Sequence, residues 1–136
     1  MDQREHSIQL IKKYYNAFNQ RDMPTFLSLL DDNVIHDINQ GTREIGKQIF
    51  AKFMENINQY YHENLTDIVL MVNEDGTRVG AEYIVHGKYE KSAPDLPAAR
   101  GQTYTLPGGA FFEIKNHKIT RITNYYNVQN WLDMVK

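Results

Sequence analysis

Lys13-Tyr14-Tyr15-Asn16-Ala17-Phe18-Asn19-Gln20-Arg21-Asp22, followed by Leu29-Leu30-Asp31-Asp32-Asn33-Val34-Ile35-His36-Asp37, is the stretch on which the fold turns. Tyr14, Tyr15 and Phe18 continue a series begun by Ile8 and Ile11, at steps of three and four, and so predict a helix with one buried face over Glu5 to Gln20. Asp22 then caps a short second helix, with Pro24 in its first turn and Phe26, Leu27, Leu29 and Leu30 on its apolar side. After Asp31-Asp32-Asn33 comes a brief strand, Val34 to Ile38, ended by the turn-forming Asn39-Gln40-Gly41.

Working outward, Thr42 is placed to cap a third helix over Arg43 to Tyr61, where Ile45, Ile49, Phe50, Phe53, Met54, Ile57 and Tyr60 keep helical spacing. Beyond residue 62 the period becomes two. Leu65 to Asn73 and Thr77 to Glu90 flank the turn Glu74-Asp75-Gly76, and Gln102 to Ile114 and Lys118 to Val128 flank Lys115-Asn116-His117, which predicts two hairpins. Between them Lys91 to Gly101, with Pro94 and Pro97, predicts an irregular loop. Helices first and antiparallel strands afterwards give an α+β domain, residues 1–136, with the helices on one face of the sheet.

Composition narrows the function. A net charge of −2 and no basic run argue against nucleic acid as a partner. The chain has no cysteine, which excludes disulfides, thiolate metal sites and a cysteine nucleophile and makes the cytoplasm the expected setting. Neither a secretory leader nor a stretch of membrane-spanning length is expected. The five histidines lack metal-ligand spacing, so no metal is expected. Nine Tyr, six Phe and one Trp suit an apolar hollow with hydrogen-bonding tips.

The element order, together with the quoted stretch and Phe111-Phe112-Glu113-Ile114-Lys115-Asn116-His117-Lys118-Ile119, resembles the NTF2-like superfamily, in particular its ketosteroid isomerase and SnoaL-like polyketide cyclase branches. His36-Asp37-Ile38-Asn39-Gln40-Gly41 is similar to a stretch of the ketosteroid isomerase-related proteins. The resemblance implies a cone: three N-terminal helices on a strongly curved antiparallel sheet that encloses a cavity for a small apolar, polyketide- or steroid-like molecule. It also implies a homodimer paired through the sheet's outer face.

By that resemblance Asp37 falls on the general base that moves a proton next to a carbonyl, and Tyr14 on the phenol that holds the enolate oxygen. The isomerases' second oxyanion acid falls on Gly109 or Ala110, so that donor is missing, a loss of the kind that costs on the order of 10² to 10³ in rate. The cyclases' last-strand acids fall where Asn124 and Asn127 stand. Ligand contacts are expected from Phe18, Asn39, Phe53, Ile57, Tyr83, Val85, Ala110, Ile122, Asn124 and Tyr126, the last two in phase with Ile122. Strand alternation puts His36 and Asp37 on opposite faces, and leaves open which face of residues 77–90 is inner. No cofactor is required for such chemistry. Two rivals stand beside it: epoxide hydrolysis, for which no convincing pair of aspartates with an arginine is present, and a non-catalytic binding or protein-interaction module, for which Asp37 and Tyr14 would only orient a ligand or support the core.

Overall fold

The computed structural model describes residues 2–136. Helix α1 (Gln3–Asn19) opens on Asp2, whose side chain accepts from the Glu5 amide, and buries Ile11, Tyr14, Tyr15 and Ala17. Helix α2 (Met23–Ser28) opens on Asp22, which accepts from the Thr25 amide in the same way, with Pro24 in the first turn. The corner between them is fixed by Asn19. Its amide donates to the Leu65 carbonyl (2.9 Å) and its oxygen accepts from the Leu65 N–H (2.8 Å), so that one side chain stands in for a strand neighbour at the sheet's edge.

The strands are β1 (Leu30–Asp37), β2 (Arg43–Ile45), β3 (Tyr61–Val72), β4 (Arg78–Tyr89), β5 (Thr103–Lys115) and β6 (Lys118–Tyr126), with helix α3 (Lys47–Tyr60) between β2 and β3 and helix α4 (Val128–Val135) at the end. The sheet order is β2-β1-β6-β5-β4-β3. All pairings are antiparallel except β1 with β6, which is parallel. This is the α+β cone with its three N-terminal helices, a fourth helix added at the C-terminal end, and a sheet that is mostly rather than wholly antiparallel.

Among the boundaries that differ from the sequence expectation, two have a plain physical reason. Arg43 to Ile45 pair with β1 as the strand β2, and the break before α3 is made by Gly46, at φ +121°, a backbone state that disfavours residues with a Cβ. Thr42 therefore caps nothing. Helix α4 follows β6 directly, capped by Asn127 through the Asn130 amide, in a segment too short for its spacing to stand out.

The cross-strand rows decide what faces inward. His36 lies in register with Ile122, Phe112, Val79 and Val72, and the first four of these five are essentially fully buried. Asp37 lies in register with Thr123, Phe111, Gly80 and Met71, the row that leaves Phe111 and Met71 exposed.

Candidate functional site: an aromatic cavity with one acid and one imidazole

Between α1, α3 and the inner sheet face lies a cavity of about 260 Å³, near the small end of the ~300–1,000 Å³ typical of ligand sites. Tyr14, Tyr15 and Phe18 of α1, Phe53 and Ile57 of α3, Tyr83 and Val85 of β4, and Asn124 and Tyr126 of β6 all line it, as does Asn39 after β1. Residues 78–89 thus turn Tyr83, Val85 and Gly87 inward, while His86 faces out and shares a 2.9 Å contact with the Thr66 hydroxyl. Ala110 and Ile122 do not reach the cavity. Both are wholly buried in the core beneath it, where Ile122 meets Phe112 across the strands.

The largest correction concerns Asp37. Its carboxylate lies on the outer face, bonded by Arg43 at 2.7 and 3.1 Å and by Arg121 at 3.3 Å. Arg121 also bonds Glu113, which pairs with Arg78, so Asp37 is a rung of an ionic ladder and not a cavity group. The bonds from Arg43 chiefly, with help from Arg121, hold its carboxyl below the usual range, opposite to what a base near neutrality needs. Arg43 is its principal partner because β2 sets the two residues opposite each other. Asp37→Asn is expected to cost at most about 1 kcal/mol at neutral pH, since partly exposed pairs contribute little. The lowered carboxyl makes that contribution present above ~3.9 and lost as pH falls through the folded value. Melting curves against pH check the sign; a collapse of ligand binding in this variant would return Asp37 to the site.

What β1 does deliver to the cavity is His36. Its ring stands edge-on to Phe50 and Phe53, 4.7 Å from each, while those two rings lie parallel to one another. The residue is 3% exposed and its Nδ1 has no hydrogen-bond partner. Burial lowers the imidazole below its usual range, opposed by the charge of neighbouring Asp37, so the neutral form is favoured. Phase alternation signals that one of the pair 36/37 faces inward, but only the pairing with β6 says which.

The second group absent from the sequence expectation is Glu63, on the inner face of β3, which begins four residues earlier than its alternation suggests. The Tyr104 hydroxyl donates to Glu63 Oε2. Burial raises the Glu63 carboxyl above its ordinary range, against the pull of that phenol and of Arg21. Around it the phenols stay protonated: burial pushes Tyr61 up to about 12 and Tyr14, Tyr83 and Tyr104 higher still. Tyr83 donates to Asn124 Oδ1 at 3.3 Å, and the Tyr15 hydroxyl, on the cavity wall, has no partner. Trp131 of α4 completes the wall, edge-on to Tyr61 and Tyr104. Among the described residues no three His, Asp or Glu side chains come together as a metal site.

The SnoaL-like domain family model matches residues 11–122. The chain belongs to that family. Three crystal structures, each of a protein called "putative polyketide cyclase", extend the likeness over the whole fold. The one from Xanthomonas campestris pv. campestris is 50% identical with TM-score 0.97, covering 99% of this chain and 100% of its own. That from Pseudomonas putida KT2440 is 54% identical with TM-score 0.92, covering 100% and 99%. That from Silicibacter sp. TM1040 is 39% identical with TM-score 0.93, covering 97% and 96%. No curated protein matches significantly. These likenesses identify this SnoaL-like chain's family and NTF2-like fold.

Proposed function

We propose that the protein is a cofactor-independent enzyme of the isomerase or cyclase kind, which moves a proton next to a carbonyl on a small, largely apolar, polyketide-like ring compound. The observation that carries this reading is His36, a neutral imidazole buried between two phenylalanines with an unpartnered ring nitrogen in the cavity's wall. Nδ1 is enclosed by protein, so the ring meets a ligand through Nε2, which can accept a proton from an acidic C–H or O–H. His36 then acts as proton acceptor in the place that sequence reasoning gave to Asp37. Tyr14 and Tyr15 are the hydroxyl donors for the developing enolate oxygen, because their phenols are held protonated by burial. The relatives' name, polyketide cyclase, supports a ring-bearing ligand with carbonyl oxygens.

The test is solvent-deuterium incorporation at the α-carbons of 2-tetralone, a neutral bicyclic ketone, followed by NMR with the wild-type protein. Exchange above the buffer rate supports the reading. Saturable binding without exchange transfers support to the non-catalytic binding module.

A homodimer and a cytoplasmic setting belong to the same proposal. The outer sheet face presents Val69, Met71, Phe111 and Tyr125, each about half exposed and adjacent in register, next to the Arg78-Glu113-Arg121 ladder, a patch of the sort that marks a protein interface. Phe111→Glu is expected to give a monomer by light scattering with the cavity intact; an unchanged mass would place the interface elsewhere.

A further inference from the structure

Gly87 has ordinary backbone angles, so its lack of a side chain is not a conformational need. A Cβ there would lie 2.1 Å from Tyr104 Cζ and 2.5 Å from its hydroxyl oxygen. Glu63, Gly87 and Tyr104 stand in one cross-strand row over β3, β4 and β5. The phenol of Tyr104 therefore lies flat across Gly87 and bridges the two strand spacings, ~10 Å in all, that separate it from the carboxyl it holds. Tyr83 repeats the device one strand further on. Its ring crosses Gly108, where a Cβ would come within 2.6 Å of it, to reach Asn124. Two glycines thus keep lanes open for two tyrosines, and one of the lanes ends on the cavity's one carboxyl group among the described residues.

We infer that Glu63, oriented by Tyr104 across Gly87, is the proton donor to the ligand's carbonyl oxygen. This rests on the reading of the cavity as an enolising site. Tyr104 spends its hydroxyl on Oε2, which leaves Oε1 to carry the proton and present it to the ligand. No lysine or arginine lines the cavity among the described residues, so an ionised Glu63 would have no cation of the lining to pair with and four phenols around it: Tyr61 on its own strand, Tyr83 on β4, Tyr104 on β5 and Tyr126 on β6. Arg21, at the corner between α1 and α2, is not among the lining residues; its charge pulls the Glu63 carboxyl down, against the larger effect of burial. The neutral acid is the form this wall satisfies. In the step, the α C–H bond breaks and its proton passes to His36, while the Glu63 O–H bond breaks and its proton passes to the carbonyl oxygen. The ketone becomes the enol, His36 an imidazolium, and Glu63 a carboxylate that Tyr104 stabilises. Reversal, or return of the proton to a different carbon, restores both groups, so atoms and charge balance without a further reactant. Glu63 thereby supplies the acid missing at Gly109 and Ala110, from a different strand.

The experiment is difference infrared spectroscopy of the whole protein near neutral pH, alone and with 2-tetralone, on wild type, Glu63→Gln, Glu63→Leu and Tyr104→Phe. The inference expects a protonated-carboxyl band in wild type that is lost in Glu63→Gln and shifted in Tyr104→Phe, and a bound-ketone carbonyl band displaced to lower frequency in wild type but not in Glu63→Leu. Absence of the protonated-carboxyl band overturns the inference, and leaves the enolising reading standing if His36-dependent exchange persists. A band present with the ketone's carbonyl unchanged between wild type and Glu63→Leu overturns the donor role while keeping the acid as a structural group. Failure of 2-tetralone to bind any variant, each folded by circular dichroism, overturns the enolising reading, and the inference falls with it.

Discussion

His36→Gln is expected to lower the rate of proton exchange on 2-tetralone by on the order of 10² to 10⁴, the share usually supplied by a positioned acid–base group, while the ketone still binds within a few-fold. The amide keeps polarity at the site but does not accept a proton. The pH dependence carries more information than the rate. Because burial lowers the imidazole, exchange rises through a limb below the ordinary value of ~6.5. If Glu63 is the partner acid, its raised carboxyl adds a descending limb above the ordinary carboxylate range. Stability follows the same linkage. A depressed folded value means that His36's contribution is present above ~6.5 and is lost as pH falls through the folded value, where a cation would be forced between Phe50 and Phe53. Melting temperature is therefore expected to drop on acidification, and this part of the drop disappears in His36→Gln. Exchange that is unchanged in the variant sinks the general-base assignment.

Gly87→Ala is expected to destabilise the protein by about 1–3 kcal/mol, the cost of forcing atoms into a filled interior. The added methyl would be within 2.5 Å of two ring carbons and the hydroxyl oxygen of Tyr104, a residue 2% exposed and packed against Trp131. Ring displacement takes its hydroxyl from Glu63, so the protonated-carboxyl band moves as it does in Tyr104→Phe. Tyr104→Phe does not relieve the clash, since the ring carbons are the nearest atoms. Tyr104→Ala does, and the double variant Gly87→Ala, Tyr104→Ala should then melt close to Tyr104→Ala alone. Denaturant titration of the four proteins gives the coupling. Additive losses would mean that Gly87 serves the backbone and not the ring.

Most of the architecture was legible because period is a local property. The buried stripe of α1, the Asp22 cap with Pro24, and the alternation of β4 each follow from residues that lie side by side in the chain. What escaped was what depends on a distant partner. Arg43 to Ile45 continue the spacing of Ile45, Ile49 and Phe53, and only pairing with β1 makes them a strand. The pair His36 and Asp37 was rightly split between two faces, yet local alternation has no sign. The sign is set by Ile122 and Thr123 of β6, and by Arg43 and Arg121, which make the outer face a better solvent for a carboxylate. Glu63 stands in phase with Leu65 and was findable as a charge at an inward position. The use of Gly87 depends on Tyr104, 17 positions on, which pairs with it across the sheet.

The parallel pairing of β1 with β6 also governs how the molecule is made. Asp37 and Thr123, joined by a 2.9 Å hydrogen bond, are 86 positions apart. Until residues 118–126 have docked, β1 has β2 as its sole strand neighbour, and one side of His36 stays open where Ile122 will lie. Closing so long a loop late is entropically demanding and slows folding. The imidazole therefore meets Phe50 and Phe53 of α3 without the last strand, but gains Ile122 beside it, and with it a closed inner face, only when β6 docks.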